Sequence, residues 1–220
     1  MTEAIGQLLP FAVGTALSPF PIIAVVLILA TPRARVNGLA FLLGWIVGLL
    51  AVGGLILLAA GGADASEGGE PKTWVSLLKL ALGALLLVFA VRQWRGRNVD
   101  KPAPKWMQSM DALKPGKAAG LALVLSALNP KNLVLTAGAA AAIAGTGIPA
   151  SEQAVAFAVF VVIASLGTGA PVAIYLALGE RSKPLLDRLR SWMAANNTVI
   201  MAVLFLVIGA KLLGDGIAGL

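Results

Sequence analysis

The 220-residue chain reads as an all-α integral membrane protein of six transmembrane helices. The helices are expected to form two inverted three-helix repeats, with proline-broken helices 1 and 4 and both termini outside. Three observations carry that reading. Hydrophobic residues make up 59% of the chain and charged residues 12%, with a mean hydropathy of +0.91, whereas soluble domains average about 45–50% apolar and about 25% charged. Apolar runs long enough for a bilayer core recur along the sequence. A short polar break, ALSP at 16–19 and ALNP at 127–130, interrupts the first and the fourth of them.

A bilayer core of about 30 Å needs about 20 apolar residues per helix. That ruler places spans at 4–30, 37–60, 73–93, 117–145, 152–179 and 195–214. The start, MTEAIGQLLPFAVG, lacks the basic end of a cleavable signal, so its apolar segment is expected to stay as a span. The joining segments orient the rest. The first loop holds Arg33 and Arg35. The third holds Arg95, Arg97, Lys101, Lys105, Lys114 and Lys117, and the fifth holds Arg181, Lys183, Arg188 and Arg190. The second loop, GGADASEGGEPK, is acidic on balance, and the fourth, TGIPASEQ, has only Glu152. Lysine and arginine concentrate in cytoplasmic loops, so loops one, three and five face inward.

The net charge of +7 therefore belongs to a membrane face, and no nucleic-acid partner is expected. Two cytoplasmic stretches have the spacing of basic amphipathic surface helices. One carries Leu185, Leu186, Leu189, Trp192 and Met193; a weaker one carries Trp106, Met107, Met110 and Leu113. Cysteine and histidine are both absent, which removes disulfides, thiolate metal sites and the commonest general base. No acid lies at depth within a predicted span, so neither an enzyme nor a metal site nor a cofactor is expected.

The chain divides into a first repeat at 1–93, a basic cytoplasmic linker at 94–116 and a second repeat at 117–220. TALSPFPIIAVVLIL and SALNPKNLVLTAGAA open the two halves, and VFAVR at 88–92 and VIGAK at 207–211 close them. Three spans is an odd number, so the second half must sit upside down. Inverted repeats with interrupted helices are a transporter architecture, with the site where the interruptions meet.

Ser18 and Asn129 each precede a proline, and Ser or Asn at the N-cap with Pro in the first helical position is a helix start. Ser18-Pro19, strengthened by Pro21, and Asn129-Pro130 thus read as helix restarts in mid-span. Restarts expose N–H groups suited to an anion. Lys131 places a cation beside them, at a helix-centre cost of about 2.5–3.5 kcal/mol. A bound anion, a neutral lysine or carbonyls freed by the break would each resolve it, and Lys131 is also the candidate coupling residue. An ionisable group at this depth is by default a functional-site candidate. The candidate substrate-binding set is Ser18, Pro19, Pro21, Asn129, Pro130, Lys131 and Asn132, joined by Gly167, Thr168 and Gly169 of SLGTGAP at 165–171. That last stretch reads either as a third unwound wall or as close packing, like Gly44 and Gly48. Lys79 and Lys211 sit nearer the outer face and are expected to snorkel to it.

The six spans, the SPFPI stretch at 18–22 and the NPK at 129–131 resemble the lysine exporter superfamily. Within it, the ALNPKN stretch and the long basic central loop look most like the GAP family, also called the Sap or sulfolipid-addressing family. The resemblance implies export or translocation across a bacterial cytoplasmic (inner) membrane. For GAP-type members it implies helping envelope glycolipids reach the outside. Metal-exporting relatives carry acids within their spans and this sequence has none at depth, which argues against cation transport. The expectation is a secondary transporter or flippase for an anionic (glyco)lipid or its precursor, partnered by the lipid bilayer, with a homo-oligomer left open. Export of amino acids or other small carboxylates is the alternative, and a scaffold for envelope lipid biosynthesis is one of another class.

Overall fold

A computed structural model describes residues 1–61, 73–96 and 113–220. Every regular element among them is helical. In chain order these are α1 (Thr2–Ala16), α2 (Pro19–Leu29), α3 (Ala34–Gly61), α4 (Thr73–Arg95) and α5 (Pro115–Leu123). A π-helical turn at Val124–Leu128 follows, then α6 (Pro130–Ala144), α7 (Ala150–Leu178), a 3-10 turn at Gly179–Ser182 and α8 (Lys183–Ala218). The second loop and the surface helix expected around Trp106, Met107 and Met110 lie outside the described residues.

The two proline breaks are bends. α1 meets α2 at 48°, and the α5–π segment meets α6 at 62°. By length and composition three segments can cross a membrane, or five if each bent pair is one span. One of them, Ala150–Ala218, has 69 residues, about 100 Å at helical rise. Gly179 divides it: its φ of +56° with ψ of −136° is open essentially to glycine alone, and it ends α7. The surface helix expected around 182–193 is not separate. It is the first third of α8, and Leu186 and Met193 are buried there, Met193 against Ile22 and Ile23 of α2. Leu185 and Trp192 remain exposed.

Glycines set the registers, because a missing Cβ lets a neighbour in. Gly38 faces Val172 and Gly53 faces Phe157, so α3 and α7 run antiparallel. Gly83 faces Leu213 and Gly216 faces Leu80, making α4 and α8 antiparallel. Gly14 meets Leu135 and Gly138 meets Phe11, making α1 and α6 antiparallel. Gly44 sits on the Ala119 backbone and Gly48 on Ser126, so α3 runs alongside α5 in the same direction. Both of the latter glycines are packing positions, as expected. Packing partners are exchanged between the halves: α1 lies on α7 as α5 lies on α3, and α2 lies on α8 as α6 lies on α4.

Contacts gather at two ends. At one, the Met1 amino group is 3.5 Å from Glu152, Ser76 bonds the Gly219 carbonyl, and Lys79 lies against Gly145. At the other, Asn37 Nδ2 donates to the Leu113 carbonyl (2.9 Å) and Arg35 lies within electrostatic reach of Tyr175, whose hydroxyl donates to Glu180. Between the ends Phe11, Phe41, Trp45, Phe160 and Ile208 are fully buried, while Leu43, Leu55, Leu58, Val162 and Leu206 face outward. An apolar exterior over an apolar core is the pattern of a chain solvated by lipid.

Candidate functional site

The two breaks, more than a hundred residues apart in sequence, touch each other. Lys131 Nζ donates to Ser18 Oγ at 2.5 Å, and Ser18 Oγ donates to Asn132 Oδ1 at 2.8 Å. All three side chains are buried. The antiparallel register of α1 and α6 brings them level, since Gly14 and Phe11 already face Leu135 and Gly138.

The local chemistry of each break differs from the symmetric pair expected. Asn129 caps α6 as its sequence predicts, its Oδ1 accepting from the Lys131 N–H at 3.1 Å. Ser18 occupies the N-cap position of α2, but its side chain makes no cap bond. Its one hydroxyl proton goes to Asn132 instead. The number of exposed N–H groups is also smaller than the restarts suggest. Pro19 and Pro21 bring none to the first turn of α2, the Ser18 N–H bonds the Thr15 carbonyl, and the Ile22 N–H bonds the Ser18 carbonyl. Phe20 is the donor that remains. In α6, Pro130 brings none, and the N–H groups of Lys131 and Leu133 are taken by Asn129.

Asn132 repairs the second break. In regular α-helix the Leu125 carbonyl would accept from the Asn129 N–H, but the π turn hands that N–H to Val124, five residues back. Proline at 130 has none to offer. The Asn132 side chain fills the gap, Nδ2 donating to the Leu125 carbonyl at 2.8 Å. π turns arise where one extra residue is accommodated, often at functional sites. Here it turns Asn132 inward, where it also meets Ser18.

What remains open is Lys131. An ammonium has three donors, and this one fills one of them, on Ser18. It is 9% exposed, and no carboxylate among the described residues pairs with it. Lys131 thus presents unfilled donor capacity at the junction of two bent helices, near the middle of the Pro115–Ala144 stretch.

The SLGTGAP stretch does not unwind. α7 runs without interruption through Gly167, Thr168, Gly169 and Pro171; prolines are tolerated in such helices when neighbours satisfy the freed backbone. Gly167 is there for close approach: a Cβ on it would fall 1.8 Å from the Ala16 carbonyl oxygen, just before the first break. Thr168 is buried with its hydroxyl on the Ser165 carbonyl at 3.2 Å. Gly169 meets only Leu42, at ordinary contact distance. The stretch therefore positions the break from behind.

Trp45 and Ser165 were missed by sequence reasoning. Both are buried, and neither Trp45 Nε1 nor Ser165 Oγ has a hydrogen-bond partner. The register of Gly38 with Val172 and Leu42 with Gly169 puts them level on facing turns of α3 and α7. The signal was a tryptophan in mid-span, far from the interfacial belt where that residue is usual. Lys79 does not snorkel; it is buried against Gly145. Lys211 is bonded to Asp215, one turn on in the same helix.

Searches of curated proteins and of solved structures gave no significant match. The sequence profile of one family, described as Sap, sulfolipid-1-addressing protein, matches residues 8–218. The match includes both breaks, Lys131 and the α7 glycines, and it agrees with a helical membrane protein linked to lipid handling. The chain belongs to the Sap, sulfolipid-1-addressing protein family.

Proposed function

We propose that this protein is a secondary transporter or flippase that moves an anionic (glyco)lipid, or a precursor of one, across a bacterial cytoplasmic (inner) membrane. The observation that carries the reading is the buried Lys131 ammonium, held by Ser18 where two bent helices meet and left with unfilled donors. A buried cation without a carboxylate is costly, and an anionic headgroup is the partner that relieves it. Trp45 Nε1 and Ser165 Oγ add two unpartnered polar groups on the facing turns of α3 and α7.

The architecture supports movement. We infer six spans in two inverted halves, counting each bent pair as one and α7 and α8 separately, with both termini outside. In support, α3 runs antiparallel to α7 and α4 to α8, and the described basic residues Arg35, Lys114 and Lys183 lie at the end marked by the Asn37–Leu113 bond and the Tyr175–Glu180 pair. Rocking one half against the other would expose the Ser18–Lys131 junction to each side in turn. The chain has no Walker motif, so coupling to ATP would need a partner, and Lys131 is the residue proposed to carry a coupled proton.

The test is reconstitution in liposomes with a fluorescent anionic lipid in the inner leaflet and an impermeant quencher outside. Wild-type protein is expected to deliver the anionic lipid and to leave a zwitterionic analogue behind, and Lys131→Ala to lose the activity. Equal rates for wild type and Lys131→Ala would remove the site assignment. Movement of amino acids with no movement of lipid would favour the small-carboxylate reading instead.

A further inference from the structure

Two more lysines lie on membrane-length helices, and neither takes part in the junction at Lys131. Lys79 on α4 is 7% exposed. Lys211 on α8 bonds Asp215 and lies over the Phe11 ring, 5.7 Å from its centre. Lys79 is within electrostatic reach of both, repelled by Lys211 and attracted by Asp215. Since Asp215 is engaged by Lys211, the cluster holds two cations and one carboxylate. Among the described residues Lys79 has no hydrogen bond and no ion pair.

The cluster is shaped rather than incidental. A Cβ on Gly145 would sit 2.6 Å from Lys79 Nζ, so the ammonium lies directly against the Gly145 backbone. Nearby hydroxyls are already engaged, Ser76 on the Gly219 carbonyl and Thr146 on the Ile143 carbonyl. The C-terminal end of α6, beside Gly145, offers Lys79 a partial negative charge. That compensates part of one charge and fills none of its donors. A buried ammonium with three open N–H groups, beside a second lysine, fits a tetrahedral oxyanion such as a sulfate or phosphate ester.

We propose that Lys79 and Lys211 form a second anion station, with Asp215 as the counter-ion that holds Lys211 in place. It lies at the far end of α6 from Lys131. α6 has 15 residues, about 22 Å at 1.5 Å per residue, so one helix carries a station at each end. Headgroups would pass from one to the other along the length of α6. The inference rests on the reading of this protein as a carrier of anionic headgroups and adds the place where the headgroup arrives or leaves.

The experiment is native mass spectrometry of the full chain released from phosphatidylcholine nanodiscs, with sulfatide as the lipid probe and inorganic sulfate as competitor. Wild type is expected to hold two sulfatides, and Lys79→Gln and Lys131→Gln one each. Lys211→Gln, which removes the other cation of the pair and leaves Lys79 in place, is expected to behave as Lys79→Gln, so a folding defect in one variant does not decide the matter. If Lys79→Gln and Lys211→Gln both keep two, the second station does not exist, whatever Lys131 does. If they lose one while Lys131→Gln keeps two, the second station stands and the site proposed at Lys131 fails. Inorganic sulfate displacing the second equivalent supports a station for the anion itself. A second equivalent that resists sulfate but is lost in Lys79→Gln supports one for the intact lipid headgroup.

Discussion

Replacing Ser18 by alanine removes one oxygen that serves both breaks. Lys131 Nζ loses the acceptor at 2.5 Å and Asn132 Oδ1 loses the donor at 2.8 Å. Neutral hydrogen bonds between membrane helices average about 0.6 kcal/mol and reach about 1.7, whereas a bond to a charged group is worth about 1.5–3 and an orphaned buried group costs about 1–3. Both lost bonds are buried and one involves the lysine, so the higher figures apply to Lys131 and the lower ones to Asn132. Ser18→Ala is therefore expected to destabilise by about 2–5 kcal/mol. In a Lys131→Met background the lysine has no bond to lose, and the same change should cost only the Asn132 term, about 0.6–1.7 kcal/mol. Unfolding in detergent followed by tryptophan fluorescence measures both, and the cycle should return a coupling of about 1.5–3 kcal/mol. Equal costs in the two backgrounds, within about 0.5 kcal/mol, would refute the cross-brace.

Three further outcomes follow from the geometry. Gly167→Ala puts a methyl group against the Ala16 carbonyl, where a Cβ would be 1.8 Å away, and should destabilise by about 1–3 kcal/mol as the helices part. Gly169→Ala, at 3.7 Å from Leu42, should be neutral or gain up to about 1 kcal/mol from helix propensity; a loss as large as that at 167 would contradict the register. Gly179→Ala forces a side chain into φ +56°, ψ −136° and should cost about 1–3 kcal/mol, read as a lower melting temperature in the same assay. The chain has no cysteine, so single cysteines report topology directly. An impermeant maleimide on intact cells should label Thr2→Cys and Ser151→Cys but not Arg35→Cys or Arg181→Cys, all four positions being exposed, and labelling of the second pair alone would invert the proposed orientation.

Much of this was legible in the sequence because each step depends on neighbours along the chain. Composition selects the solvent, hydropathy length marks the membrane segments, and Asn129-Pro130 specifies a capped restart whatever surrounds it. The bends therefore stand where ALSP and ALNP place them. The unwound reading of SLGTGAP fails for a complementary reason. Glycine both loosens a helix and admits a neighbour, and only the neighbour, here the Ala16 carbonyl, decides between them. The same ambiguity concealed the fusion of residues 183–193 with the last span, since a basic amphipathic stretch looks alike on a membrane surface and at the end of a long helix.

By itself, then, the sequence determined that the chain lives among lipids, that its first and fourth apolar segments break at proline, and that a lysine follows the second break. Tertiary structure alone decided what those features are for. Ser18 reads locally as a cap, yet its hydroxyl has one proton, and the antiparallel seating of α1 on α6 offers it Asn132 and Lys131 in place of its own helix. Lys79 reads locally as a snorkelling side chain, yet the gap at Gly145 draws it inward. Hydrogen-bond partners and buried charges are set by contacts between residues far apart in sequence, 114 positions for Ser18 and Asn132, and no local pattern encodes them.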